Sequence, residues 1–385
     1  MFEPVGRPGA MRQDSLHQKY PLTPVINAAG TFTPLGVSRS SDHVSQSVAQ
    51  ALGAFVVIEE LQQLASERLA SFAGCQAGAV THCVSAAITQ AVAACIAGTD
   101  PAAVAALPDP GQRKHLVVIP EGHCVNYGHP IETDVRLAGG RVLKAGDRAA
   151  LHREELARCL DTPGVCCLLL VSSRLTSFHE LDFAAAVSAA RTRGILTIVD
   201  GAAQDLRVRD LLATGADAVL VSAHKYLASP TAGLVLGTHE FVNAFRAQER
   251  GIGRAMKAGK EAIVGVLAAL EERARQDGSA WRLHQQRKVD LLLDLLQGCQ
   301  GLRAWAQDDP VGMPFQRVRL APAGGPAATR ALVQRLKSGR PSIWTMEHGM
   351  DEGTLQLELV QLDESEVRQI ARSLHEALGT QADRR

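Results

Sequence analysis

The sequence predicts an α/β protein built on a mostly parallel sheet, with a smaller α+β domain towards the C-terminus. Three observations predict it. Between about residues 79 and 237, apolar runs of strand length alternate with helix-periodic segments, the pattern of βαβ units. The run Val165-Cys-Cys-Leu-Leu-Leu-Val171 is apolar on consecutive residues, as expected of a strand covered on both faces. The chain has 385 residues, which is more than one simple core holds. Hydrophobic residues make up 46% and aromatics only 4%, with abundant Ala and Gly, and such small side chains suit close packing of helices on a sheet.

The elements follow in order. Residues 1–24 read as a loose polar arm. Residues 24–36 are apolar but broken by Gly30, Pro34 and Gly36, and read as a shaped loop. Residues 42–72 have helical spacing, with Leu61, Leu64, Ala65, Arg68 and Leu69 on one turn system. Strands are expected at 79–83, 115–120, 141–144, 165–172, 196–200, 218–222 and 233–237. Helices are expected at 85–97 and 183–192. Residues 260–276 form an amphipathic helix through Ile263, Val266, Leu267 and Leu270. It links to strands near 316–320, 342–346 and 354–360 and a last helix at 365–378. The expected division is an arm at 1–40, a large domain at 41–258, and a linker helix with the small domain at 259–385.

Lys+Arg and Asp+Glu both number 40, so there is no bulk basic excess to hold phosphates of nucleic acid or a membrane surface. Neither partner is expected. The eight cysteines form no C-x-x-C pair, and Cys166 and Cys167 read as buried thiols, so no metal is expected. The first twenty residues have no apolar central stretch and no apolar run reaches membrane length. A cytoplasmic protein is the expectation.

Two charged residues end neighbouring apolar strands: Asp200 in Leu-Thr-Ile-Val-Asp and Lys225 in Val-Ser-Ala-His-Lys. In an open parallel sheet the carboxyl ends of strands face the ligand. An Asp that keeps a pyridine nitrogen protonated, beside a lysine able to form an imine, is the donor set of a carbanion-stabilising cofactor. A turn-capping Asp and a surface Lys are the plainer alternative. Cys83-Val-Ser85-Ala86-Ala87 opens an Ala-rich helix whose N–H groups suit a phosphate, or else Ser85 is a simple cap. His123 follows the strand at 115–120 and can stack on a ring. The run Gly251-Ile-Gly253-Arg254-Ala-Met-Lys257-Ala-Gly259-Lys260-Glu261 places cations and glycines before a helix, suited to an anion or to solvent. It is no dinucleotide fingerprint, because it follows a helical segment, and a nicotinamide dehydrogenase is therefore remote.

In sequence order, Val25-Ile-Asn27-Ala-Ala-Gly30-Thr31, the Ser85 helix, Gly122-His123, Val199-Asp200-Gly-Ala-Ala203, Ser222-Ala-His224-Lys225 and Gly253–Glu261 resemble the selenocysteine-synthase-like branch of pyridoxal-phosphate enzymes. The resemblance spans roughly 20–380. It implies the aspartate-aminotransferase-like fold (fold type I) with a seven-stranded, mostly parallel sheet in the large domain. It also implies a homodimer or larger assembly, and pyridoxal 5'-phosphate held by Lys225 as a Schiff base. Asp200 would meet the ring nitrogen and His123 would stack on the ring. Ser85, Ala86 and Ser222 would hold the phosphate, with His224 beside them. Arg254 and Lys260 would bind anions, with Asn27 and Thr31 nearby.

The family's Pro-Arg pair is missing from Leu357-Glu-Leu-Val-Gln-Leu362, so Arg174 or Arg340 stands as the alternative anchor for a substrate carboxylate. The selenium-transferring members carry an N-terminal tRNA-binding domain, whereas only about 24 residues precede Val25 here, so a tRNA substrate is not expected. The implied reaction on a small amino substrate is β-elimination, as in an ammonia-lyase, or β-replacement. Transamination and racemisation share its first step. A non-catalytic scaffold is the reading from another class.

Overall fold

The computed structural model describes residues 16–17, 19–177 and 181–379. In chain order the elements used below are β1 (Val25–Ala28), α1 (Asp42–Leu52), α2 (Ile58–Ala73), β2 (Ala77–Thr81), α3 (Val84–Ala97), β3 (Leu116–Pro120), α4 (Ile131–Leu137), β4 (Arg141–Ala145), β5 (Val165–Val171), α5 (Phe183–Arg191), β6 (Leu196–Asp200), β7 (Ala218–Ser222) and β8 (Gly233–Gly237). They continue with α6 (Lys260–Arg275), α7 (Gly278–Leu295), β9 (Leu302–Asp308), β10 (Gln316–Pro322), α8 (Gly325–Ser338), β11 (Ser342–Thr345), β12 (Leu355–Leu357) and α9 (Glu364–Leu378). The chain divides into two compact units, His43–Arg275 and a discontinuous one of Met1–Asp42 with Gln276–Arg385. The division differs from the expected one at both ends: β1 belongs with the C-terminal residues, and α6 with the large unit.

The large unit is built on a seven-stranded sheet of order β2-β8-β7-β6-β5-β3-β4. β8 runs antiparallel to both its neighbours, and the other pairings are parallel. Alternate residues of each strand enter opposite layers. Leu168 and Leu170 join Leu69, Val187, Ile263 and Val266 on one face. Cys167, Leu169 and Val171 join Ile88 and Val92 on the other. Every residue of β5 is buried, which is why its sequence is apolar throughout. Residues 42–72, expected as one helical stretch, form α1 and α2, separated at Gly53–Val57, where the apolar residues run consecutively instead of with helical spacing.

The discontinuous unit has an antiparallel sheet β12-β10-β9 and a parallel pair β1-β11. Residues 24–36, read as a loop, contain β1, which pairs Val25 to Ser342 and Ala28 to Thr345. Ile26, Ala28, Leu292, Val318, Leu320, Leu336, Ile370 and Leu374 pack together in its core. Lys288 is buried there with Nζ donating to the carbonyls of Leu359, Val360 and Leu362 at 2.7, 3.0 and 3.0 Å. Burial pushes its ammonium down to about 8.

Candidate active site at the carboxyl edge of the sheet

Because β2, β3, β5, β6 and β7 share one direction, the residues that follow them gather at one edge. The chain runs outward from β3 to β4 and returns as β5 on the other side of β3. A topological switch therefore lies between β3 and β5, where open sheets bind ligands. Ser85 and Ala86 follow β2, His123 follows β3, Arg174 follows β5, Asp200 ends β6, and Ser222, His224 and Lys225 end or follow β7.

Asp200 is 4% exposed, and its Oδ1 accepts the Ala202 N–H at 2.9 Å. Burial pushes the carboxyl up to about 6, opposed by the Ala202 N–H and the Lys225 cation and reinforced by Asp134. A buried carboxylate left short of positive charge fits a pyridinium nitrogen as its partner. Lys225 is half-buried on a tight turn closed by its own N–H on Ser222 O (3.4 Å) and by the Ala228 N–H on Lys225 O (3.2 Å).

At α3, Cys83 caps the helix in extended conformation, and its Sγ accepts the Ala86 N–H at 3.5 Å. The Val84 and Ser85 N–H groups belong to the first turn, which has no intrahelical acceptors. With fourteen residues behind it, this helix start suits a dianion. Gly233 makes the approach possible: a Cβ there would lie 2.6 Å from the Cys83 carbonyl carbon and oxygen. The Ser85 hydroxyl donates to Asp134 Oδ1 at 2.7 Å, so the backbone N–H groups remain the donors for a phosphate. Together the helix start, the buried carboxylate and the lysine fit pyridoxal phosphate.

His123 is buried, and the Val171 N–H donates to its Nδ1 at 3.0 Å, which leaves the proton of the neutral ring on Nε2. Its ring lies 5.7 Å from that of Phe183. His224 Nδ1 lies 3.0 Å from Ser222 Oγ and 3.2 Å from Ala232 O, and burial pushes the imidazole pKa down.

The anion-binding candidates are less concentrated. Arg174 and Arg254 are exposed in the large unit. Lys260 Nζ donates to the carbonyls of Leu52 (3.3 Å) and Ala54. Asn27, Thr31 and Arg340 lie in the discontinuous unit, where Asn27 Nδ2 donates to Gly30 O at 2.8 Å and Arg340 is exposed. Glu358 there receives Arg317 at 2.7 Å, and Arg317 also meets Asp309. A Cβ on Gly30 would lie 2.8 Å from the Glu358 carboxylate, and Gly30 has φ 75°. Sequence reasoning missed Asp134, which also receives Tyr127 and lies 3.0 Å from His129 Nε2. It also missed Asp205 and Arg273. Their local sequences read as ordinary helix and turn charges, and only the tertiary fold buries the two acids.

No family model matches the chain. Over 371 residues it is 31% identical to D-glucosaminate-6-phosphate ammonia lyase of Salmonella typhimurium, covering 96% of this chain and 99% of the relative. The solved structure of a D-glucosaminate-6-phosphate ammonia-lyase superposes with a TM-score of 0.84 at 31% identity, covering 94% of this chain and 98% of that one. The chain belongs to the selenocysteine-synthase-like branch of the fold-type I pyridoxal-phosphate enzymes. Another relative of this branch member is the 5'-C-glycyluridine monooxygenase-decarboxylase of a Streptomyces species, 33% identical over 371 residues, covering 94% of this chain and 92% of the relative. The fold-type I architecture expected from the motifs is the one observed, with seven strands in the large sheet. No helix among the described residues is long and apolar enough to cross a membrane, and no cluster of metal-ligating side chains occurs among them.

Proposed function

We propose that this enzyme is a lyase acting on a small amine-bearing acid at its α-carbon, with elimination of a β-substituent and release of ammonia. The observation that carries the reading is the buried Asp200 carboxylate at the same sheet edge as Lys225 and the α3 N-terminus. Bound pyridoxal phosphate supplies the electron sink that stabilises negative charge at the α-carbon. The protein's own groups divide the remaining work. The Val84 and Ser85 N–H groups would hold the phosphate, with Ala86 beside them on the same turn, and Asp200 would keep the ring nitrogen protonated. His123 would cover the ring. Lys225 would hold the cofactor through its Nζ, and the same amine is the group placed to take the proton from the substrate's α-carbon. Arg174 and Arg254, both exposed, are assigned to a substrate carboxylate.

The similarity to an ammonia lyase supports elimination over transamination or racemisation. The similarity to a monooxygenase-decarboxylase supports a second outcome from the same starting step, oxygenation with loss of the carboxyl group. Free thiols at all eight cysteines suit a reducing cytoplasm. The exposed apolar run Phe55, Val56, Val57 and Ile58 suits burial in a homo-oligomer.

The test is the visible spectrum of the purified protein before and after borohydride reduction, with the modified peptide mapped, followed by a screen of amino acids and amino-sugar acids. Absorbance fixed on Lys225, with ammonia and keto acid released and no oxygen consumed, is the expected result. Oxygen uptake coupled to carbon dioxide release would select the second outcome. A protein that takes up no cofactor would overturn both.

A further inference from the structure

Five residues past Asp200, in the turn Asp205–Arg207, a second acid is buried. Asp205 is 1% exposed, and neither of its carboxylate oxygens makes a hydrogen bond of good geometry. Its nearest cation is Arg273 of α6, with Nη2 3.7 Å from Oδ2. The same Nη2 donates at 2.7 Å to the carbonyl of Tyr226, the residue that follows Lys225. One guanidinium therefore joins the helix, the buried acid and the turn that carries the lysine. A buried carboxylate with no well-formed hydrogen bond is costly to keep, and this one shares its arginine with the turn that carries the lysine.

We propose that Asp205 and Arg273 are positioning residues for Lys225: the arginine fixes the Lys225–Tyr226 turn on α6, and the carboxylate is the standing counter-charge of the lysine amine. The proposal rests on the reading of Lys225 as the cofactor-bearing amine. Burial pushes the Asp205 carboxyl up to about 6, opposed by Arg273, by the Asp205 and Tyr226 backbone N–H groups and by Lys225 itself. Other titratable groups that bear on the lysine include Asp200 on β6, which feels Lys225 directly, and His224, which feels both Lys225 and His82. Arg207 lies in the Asp205 turn and is engaged by Asp210 and Gln204, and Asp134 bears on Asp200. Asp205 and Arg273 are the pair among these that also touches the turn's backbone.

The experiment measures how fast acetic anhydride labels Lys225 at a series of pH values, read by peptide mass spectrometry on the full chain freed of any cofactor. Asp205→Asn should move the labelling midpoint down by about one pH unit, because a negative charge near the amine is lost. Asp205→Glu should restore most of that shift. Arg273→Gln should move the midpoint up, because a neighbouring cation is lost. Midpoints unchanged in variants that unfold at the wild-type temperature would overturn the proposal. Should Asp205→Asn not fold, the upward shift in Arg273→Gln decides alone. Borohydride mapping of the wild type tests the cofactor reading separately: a chain that takes no cofactor yet shows both shifts sinks that reading and keeps the counter-charge.

Discussion

Replacing Lys225 with Ala should lower turnover by at least about a thousandfold, the scale of losing a positioned base and nucleophile. Circular dichroism should be unchanged, because the side chain is only half-buried on a turn. Asp200 carries a pH prediction. Burial pushes its carboxyl up to about 6, and a protonated acid cannot partner a pyridinium. Cofactor affinity measured by absorbance titration should therefore fall as pH drops through about 6. Asp200→Asn should bind weakly at all pH values and lose that limb. An unchanged limb in the variant would assign it to another group. The raised value also has a sign in stability. A folded carboxyl that holds its proton more tightly than the unfolded one favours the fold below the unfolded value of about 3.8, and loses that advantage as pH rises through about 6. The placement of Lys225 and Asp200 at one sheet edge is legible in the sequence, because one follows and the other ends an apolar strand. Asp134 and Asp205 were not, since nothing local distinguishes a helix or turn acid that will be buried from one that stays in water.

The strands show the same contrast. Those buried on both faces wrote themselves into the sequence as apolar runs, and β6, β7 and β8 lie at the expected residues. β1 did not, because Asn27 and the following Ala-Ala-Gly look like a loop until β11, far along the chain, supplies the partner. β9 was missed as well: its residues are partly exposed along the whole strand, so no apolar run marks it. The start of α3 depends on a contact that sequence does not display either. Gly233→Ala would drive a methyl into the Cys83 carbonyl and displace the helix start. About 1–3 kcal/mol of stability should be lost in thermal or urea unfolding. Cofactor affinity should fall with it, whereas an alanine elsewhere on β8 would alter stability alone.

Across the whole molecule, the strongest surface signal is the apolar segment between α1 and α2, where Phe55 is fully exposed and Val57 is 59% exposed. Lys260 fastens this segment by its carbonyls and lies 5.9 Å over the Phe55 ring, so the segment is held in place while its side chains face outward. On the proposed homo-oligomer, Phe55→Asp with Val57→Asp should lower the mass read by light scattering to that of one chain. A wild-type protein that is already monomeric would assign the segment another role. Neutral net charge had excluded nucleic-acid binding in bulk, but it carries no information on self-association, and this patch is visible only once the fold shows which apolar residues stay outside.

The pairing of β1 with β11 joins residues about three hundred positions apart, and the unit they close brackets the large one in the chain. On the ribosome this imposes an order. The segment His43–Arg275 is complete in contacts well before Ser342 emerges, while Val25–Ala28 must wait as an unpaired edge until the last part of the chain is made. A nascent chain halted after α6 would therefore carry a folded sheet and a loose leading strand, and release of the C-terminus is the event that sews the two ends together.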